Sequence, residues 1–184
     1  MQLRPQDIVV ALKLCANPAR KIALVPMSVD LGISLSNTHA AMKRIAKSGL
    51  LLIKDGYEVL GQRNLLEFIV HGLPYVWPGE IGPITRGLPT AHGAPPLREI
   101  IVHGENDILV WPDAEGKARG QSLKPLIPSA AAAARRDPKL YEFLALTDAI
   151  RIGRARERKL AAEMLEDRLI GHPKAAKAAK AARR

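Results

Sequence analysis

The sequence predicts a mainly α fold with a small β-hairpin (α+β). Three observations carry this expectation. Apolar residues recur at helical spacing near both ends of the chain. An Asp-Gly pair, Asp55-Gly56, stands between two short apolar runs, which is a strong hairpin signal. Aromatic residues make up only 4% of the 184 residues, so a core must be built from Leu, Ile, Val and Ala.

Gln6 to Ala16 reads as a helix. Pro5 suits its first turn, and Ile8, Leu12 and Cys15 recur at i, i+4 and i+7. Asn17-Pro18 stops it. Lys21 to Val25 reads as a short strand or linking turn, and Ser28 to Leu31 as a short second helix ended by Gly32. Ser36 reads as the cap of a third helix that runs to Ser48 and closes at Gly49. Its residues Thr38, Met42, Ile45 and Gly49 are spaced to face a core. Leu50 to Ile53 and Tyr57 to Leu60 are the expected strands of the hairpin, with Lys54 at its tip.

Asn64 to Val70 is expected to be a further helix capped by Asn64. From Leu73 to Pro96 there are six prolines in 24 residues, so no regular element of useful length is expected there. Its apolar side chains, such as Val76, Trp77 and Ile84, suggest an ordered loop packed over the rest. Leu97 to Val102 reads as a short helix or strand, Ile108 to Trp111 as a strand, and Asp113 to Gly120 as a polar turn. Two helices follow, Lys139 to Ile152 and Arg154 to Leu169. The second carries an apolar stripe of Leu160, Ala161, Met164, Leu165 and Leu169, and this stripe, or the helix before it, is the expected dimer contact. The division expected is an N-terminal unit of three helices and the hairpin over 1–61, a dimerisation or regulatory region over 62–170 with its Pro/Gly-rich loop at 73–96, and a basic tail over 171–184.

The formal net charge is +10, and it is unevenly placed. Residues 1–61 carry +4, residues 62–128 carry −1, residues 129–150 carry 0, and residues 151–184 carry +7. Basic ends on a chain of this size favour a polyanionic partner. The last eleven residues are only Ala, Lys and Arg, with Lys174, Lys177, Lys180, Arg183 and Arg184 spaced along them. Such a segment has nothing to bury and is expected to be disordered when free. No apolar run approaches the ~18 residues of a membrane span. A cytoplasmic, nucleoid-associated protein is expected, with no membrane partner.

The third helix carries the functional argument. With Thr38 and Ile45 turned inward, Asn37, His39, Ala40, Lys43, Arg44 and Lys47 fall on or near the outer face. Asn pairs with adenine edges and His donates to guanine acceptors. Ser34 and Ser36, beside the free N–H groups of the helix start, are placed for a phosphate. Lys43, Arg44 and Lys47 are placed for the DNA backbone, and Lys54 for a flanking phosphate or the minor groove.

Residues 27–50 resemble the helix-turn-helix of winged-helix transcription regulators, in the broad group of MarR-like proteins. Leu31-Gly32-Ile33-Ser34 matches the tight turn, Ser36 the cap of the recognition helix, Met42 and Ile45 its buried positions, and Gly49-Leu50 the entry to the wing. The resemblance covers about residues 5–61. Leu65-Leu66-Glu67-Phe68, Pro89-Thr90-Ala91 and Pro95-Pro96-Leu97 resemble bacterial proteins loosely assigned to the same group. The resemblance implies a DNA-binding regulator, most simply a repressor, whose recognition helix enters the major groove of duplex DNA. The tail resembles the basic arms of DNA-compacting proteins. Ala40 departs from the family, which often has a long polar residue there. Base readout then rests on few side chains, which favours a homodimer on a palindromic site.

Two other readings stand beside this one. An antitoxin-like protein would bind a toxin enzyme encoded nearby and control its own operon through the same helices. A sequence-independent architectural DNA binder would rely on the tail. No enzyme is expected. The sequence has no phosphate-binding glycine loop or nucleophile elbow, and His71, His92 and His103, with Glu105 and Asp107, lack the spacing of a zinc site. Neither a metal nor a cofactor is expected. Cys15 reads as a core residue, and Trp77 and Trp111 as buried.

Overall fold

A computed structural model describes residues 2–18, 23–54, 57–101, 104 and 107–171, with backbone alone at 53–54 and 57–58. The chain begins with three helices, α1 (Pro5–Ala16), α2 (Leu24–Leu31) and α3 (Leu35–Lys47). A hairpin of β1 (Leu51–Lys54) and β2 (Tyr57–Leu60) follows, with Leu51 paired to Leu60 and Lys54 to Tyr57. Pro5 opens α1, and the Asp7 carboxylate accepts the Arg4 N–H at 2.8 Å. Ile8 through Leu12 are buried on every side, so α1 runs through the core of this half.

Three boundaries differ from expectation. Helix α2 starts at Leu24 rather than Ser28, because Pro26 falls in its first turn, where no N–H is needed. The cap of α3 is Ser34, whose Oγ accepts the Asn37 N–H at 3.2 Å; Ser36 is already helical. Gly49 is exposed, not a core position. Its φ of +76° ends α3 in the left-handed region, and Leu50 N–H reaches back to Ile45 O. Gly32 does the same for α2 with φ +63°, and Ser129 packs against its backbone, so a side chain there would be both strained and crowded.

Helix α4 (Gln62–Glu67) runs through a π turn at Phe68–Gly72 into α5 (Leu73–Val76). Asn64 is not its cap. Gly61 holds that position, and Asn64 Nδ2 instead donates to Gly49 O at 3.0 Å, tying α4 to the end of α3.

The expectation of a loop over 73–96 is overturned. Ile81–Thr90 is a ten-residue strand, β3. It pairs antiparallel with β4 (Leu109–Pro112) and with β5 (Ala118–Leu123), and β4 and β5 pair in parallel, closing a three-stranded barrel. Proline fits because each site avoids a ladder bond. Pro83 lies in the register break between Ile81 and Ile84. Pro89 O accepts the Tyr141 hydroxyl at 2.7 Å, so its polar edge faces away from β4. The glycines close the barrel: a Cβ on Gly87 would sit 2.0 Å from Trp111 O, and one on Gly116 2.3 Å from the Gly87 carbonyl. The polar turn is therefore shorter than expected, because β5 starts at Ala118. Leu97–Glu99 is a single 3₁₀ turn.

Helix α6 (Ala130–Arg136), absent from the sequence reading, leads into α7 (Pro138–Ile152) and α8 (Ala155–Ile170). Ala161, Leu165 and Leu169 of α8 are buried within this chain, where α8 packs against α7 and α4. Leu160 and Met164 of the same stripe are half-buried, so the monomer covers most of the expected dimer contact. No described helix is long and apolar enough to cross a membrane.

Helix α7 is buried almost all round and carries two acids that join the parts. Asp148 Oδ2 accepts Trp111 Nε1–H at 2.7 Å and the Thr90 hydroxyl at 2.9 Å, both from the barrel. Its Oδ1 accepts Arg151 Nη1–H at 2.6 Å. Arg151 also donates to the carbonyls of Trp77, Pro78 and Lys124. Burial pushes the Asp148 carboxyl up, and the Arg151 guanidinium with the Thr90 and Trp111 bonds pulls it back. Asp148→Ala would leave a buried guanidinium without its anion. The expected cost is about 3–5 kcal/mol, read from the urea unfolding midpoint.

Asp137 caps α7, accepting the N–H groups of Lys139 and Leu140, each at 3.1 Å. It also accepts Lys13 Nζ–H at 2.8 Å and Asn17 Nδ2–H at 2.6 Å from the end of α1. Burial works to raise this carboxyl, but the bonds from Lys13, Leu140 and Asn17 outweigh it and hold it below the usual range. Its stabilisation is therefore present above the ordinary aspartate value near ~4 and is lost as pH falls through the folded value. Asp137→Asn should cost about 2 kcal/mol at neutral pH. The difference from wild type should shrink in urea unfolding below about pH 4.

Candidate nucleic-acid interface

Helix α3 divides cleanly into two faces. Thr38, Ala41 and Ile45 are buried, and Met42 is half-buried beside them. At 100° per residue, Ser36, His39, Ala40, Lys43 and Lys47 share one arc on the opposite side. Ser36, His39, Lys43 and Lys47 are exposed and Ala40 is half-buried. Asn37 lies outside that arc but is exposed in the first turn. No acidic residue occurs in α3. His39, Lys43 and Lys47 have no hydrogen-bond or ion-pair partner among the described residues.

The helix start is also organised. Ser34 Oγ lies 3.0 Å from Ser36 Oγ, both exposed, and the Thr38 hydroxyl donates to Ser34 O at 3.1 Å. The N–H groups of Leu35 and Ser36 precede the first possible helical bond. This end of α3 therefore offers several donors to an anion.

Arg44 is the correction to the expected set. It stands at the border of the buried arc, and its side chain folds inward rather than out to solvent. Nε and Nη2 each donate to the Asp7 carboxylate at 2.7 Å, in a bidentate pair sealed between α1 and α3. The Asp7 bond raises the already high Arg44 value, so the guanidinium stays charged. Arg44 positions the helix and does not contact a backbone phosphate. Asp7 is its unforeseen partner. The available signal was a carboxylate at the head of an otherwise apolar run, which asks for a cation if it is to be buried.

Lys54 lies in β1, but its side chain is outside the described residues, as are Lys174, Lys177, Lys180, Arg183 and Arg184. His71 is exposed, 3.6 Å from Glu67 in an i,i+4 pair, and His92 Nε2 lies 2.6 Å from Asp107 O. His103 and Glu105 are outside the described residues. Among the described residues, no three metal-binding side chains cluster.

A cleft of about 760 Å³ opens between the hairpin, α1, α2 and the start of α4, with Leu52, Val59, Cys15 and Met27 among its walls. Burial pushes the Cys15 thiol up to about 12, so it carries little thiolate at neutral pH. Trp111 is buried as expected, whereas Trp77 is half-buried, edge-on to Phe68 at 6.1 Å.

Neither a protein-family model, nor a curated protein, nor a solved structure matches this chain.

Two of the three cations of α3, Arg44 and Lys43, should separate in a stability assay. Arg44→Ala removes one partner of a buried pair and is expected to cost about 3 kcal/mol or more. Lys43→Ala should stay within about 0.5 kcal/mol of wild type. Chemical denaturation of the two variants reads both values.

Proposed function

We propose that this protein is a DNA-binding transcriptional regulator of winged-helix type. In this reading α3 is the recognition helix in the major groove, and the β1–β2 hairpin is the wing. One observation supports it above the others: α3 has an outward strip of unpaired His39, Lys43 and Lys47, while its inner face is locked by Ile45 and by the Asp7–Arg44 pair. A helix held that firmly presents its polar side in a fixed direction, as groove reading requires.

The roles follow from side-chain chemistry. Asn37 and His39, in the N-terminal half, meet base edges. Ser34 and Ser36 meet a phosphate at the helix start. Lys43 and Lys47 meet the backbone along the groove wall. Ala40 offers at most a contact to a thymine methyl. With so few readers per copy, occupancy of a palindrome by two copies would supply the missing specificity, and a protein seated there would block transcription. The basic tail would add phosphate contacts of its own.

The test is anisotropy titration on duplexes drawn from upstream of the coding region. Salt-sensitive binding is expected, and its absence at ~50 mM salt would sink the proposal. Asn37→Ala with His39→Ala should erase about 1–3 kcal/mol of discrimination per lost base contact, with the fold unchanged. Unaltered site preference in that double variant would remove α3 from the reading role.

A further inference from the structure

The β3–β5 ladder carries an arrangement that the fold does not need. Arg86 of β3 stands directly opposite Arg119 of β5, and Ile84 stands opposite Gln121 one pair further on. All four side chains are exposed and share the outer face of the barrel. Like charges directly opposed across a ladder are destabilising. Neither guanidinium has a hydrogen-bond or ion-pair partner among the described residues, although the Arg86 carbonyl accepts the Asp113 N–H at 3.1 Å. Lys117, just before the strand, is exposed and equally unpaired. The acids close to these cations in sequence are engaged elsewhere, Asp113 and Glu115 by Arg135 and Glu80 by Lys124. Charged residues on a strand often guard an open edge, but this sheet closes on itself.

The place of this face matters as much as its charge. Arg135 and Arg136 are consecutive on α6 and grip different parts. Arg135 holds the β4–β5 turn through Asp113 and Glu115, and Arg136 Nη1 donates to Val29 O and Asp30 O at the end of α2. Neighbouring residues of α6 thus tie the β4–β5 turn and the end of α2 to the same short helix. A duplex has a phosphate on each strand every ~3.4 Å of its axis, so one of about 30 base pairs is long enough to reach well beyond α3.

We propose that the outer face of β3 and β5 is a second phosphate-binding surface for duplex DNA, with Arg86 and Arg119 as its contacts and Lys117 beside them. This rests on the reading of α3 as a duplex-binding helix. The two arginines repel each other in the free protein, and an anion between or beside them relieves that repulsion. The surface is sequence-blind: it adds affinity and orientation, and α3 supplies the choice of site.

The experiment is a salt titration of full-length protein on a ~30-base-pair duplex, with thermal unfolding of each variant alongside. Arg86→Ala with Arg119→Ala should reduce the slope of log affinity against log salt by about 1.8, that is about 0.9 per lost contact. Arg86→Lys with Arg119→Lys should largely restore it. The alanine pair should unfold at the same temperature as wild type or slightly higher, because a repulsion has gone. A midpoint several degrees lower would make the pair structural and overturn the inference. Lys43→Ala with Lys47→Ala is the reference for α3. If that pair lowers the slope and the arginine pair does not, the barrel surface is refuted and the α3 reading stands. If only the arginine pair lowers it, the surface is supported and α3 loses its role. No duplex binding by wild type at ~50 mM salt removes both. Arginine-dependent binding to phosphatidylserine vesicles, without effect on the duplex, would assign the face to lipid and overturn the proposal.

Discussion

A helix buried on every side has to account for each polar group it carries, and α7 meets that constraint with two carboxylates. Asp148 gathers the Trp111 indole, the Thr90 hydroxyl and the Arg151 guanidinium on one side chain. Through those bonds a small barrel, with little hydrophobic interior of its own, is fastened to the helical core. Asp137 does the corresponding work at the other end, where Lys13 and Asn17 bring in α1. Both carboxylates accept several donors, and such multiply bonded buried anions favour one geometry over near alternatives.

The same logic reappears in α3 on a smaller scale. Asp7 and Arg44 form a sealed bidentate pair between α1 and α3. A charge of this kind contributes little net stability compared with a well-packed apolar pair. Its effect is directional: a fork of two parallel bonds fixes both the rotation and the height of one helix against the other. With that rotation set, the polar residues of the outer arc point one way. The proposed function therefore depends on a residue that touches no nucleic acid.

The joints of the fold and its outer faces also differ in how they hold charge. The long basic residues of the interior and of α6 are paired, as with Arg44, Arg135 and Arg151. Those on the outer faces of α3 and of β3–β5 are not. In a chain of net charge +10, where pairing is available it is used at joints, and where it is withheld the surface stays positive. Polyanion binding, on this view, would be arranged by which cations lack partners rather than by how many cations there are.

Local information was enough for most of the long helices and for the hairpin. Helical spacing, Pro5 and Pro138 at first turns, Gly32 and Gly49 after helix ends, and Asp55-Gly56 between strands are all signals that act within a few residues. They located α1, α3, α7, α8 and the β1–β2 pair to within a few residues, and they separated the buried Thr38 and Ile45 from the exposed Asn37, His39, Lys43 and Lys47. The fate of Arg44 was not legible, since its partner lies 37 residues away and only packing of α1 on α3 brings Asp7 to it. Nor was β3. Proline and glycine oppose a strand locally, and only the three-dimensional ladder puts Pro83 at a register break and lets Gly87 approach the backbone of Trp111. The pairing of Arg86 with Arg119 is likewise a matter of register between distant strands. Local propensity depends on neighbours in sequence, whereas register, burial of charge and close backbone approach depend on neighbours in space, and those exist only once the chain has folded.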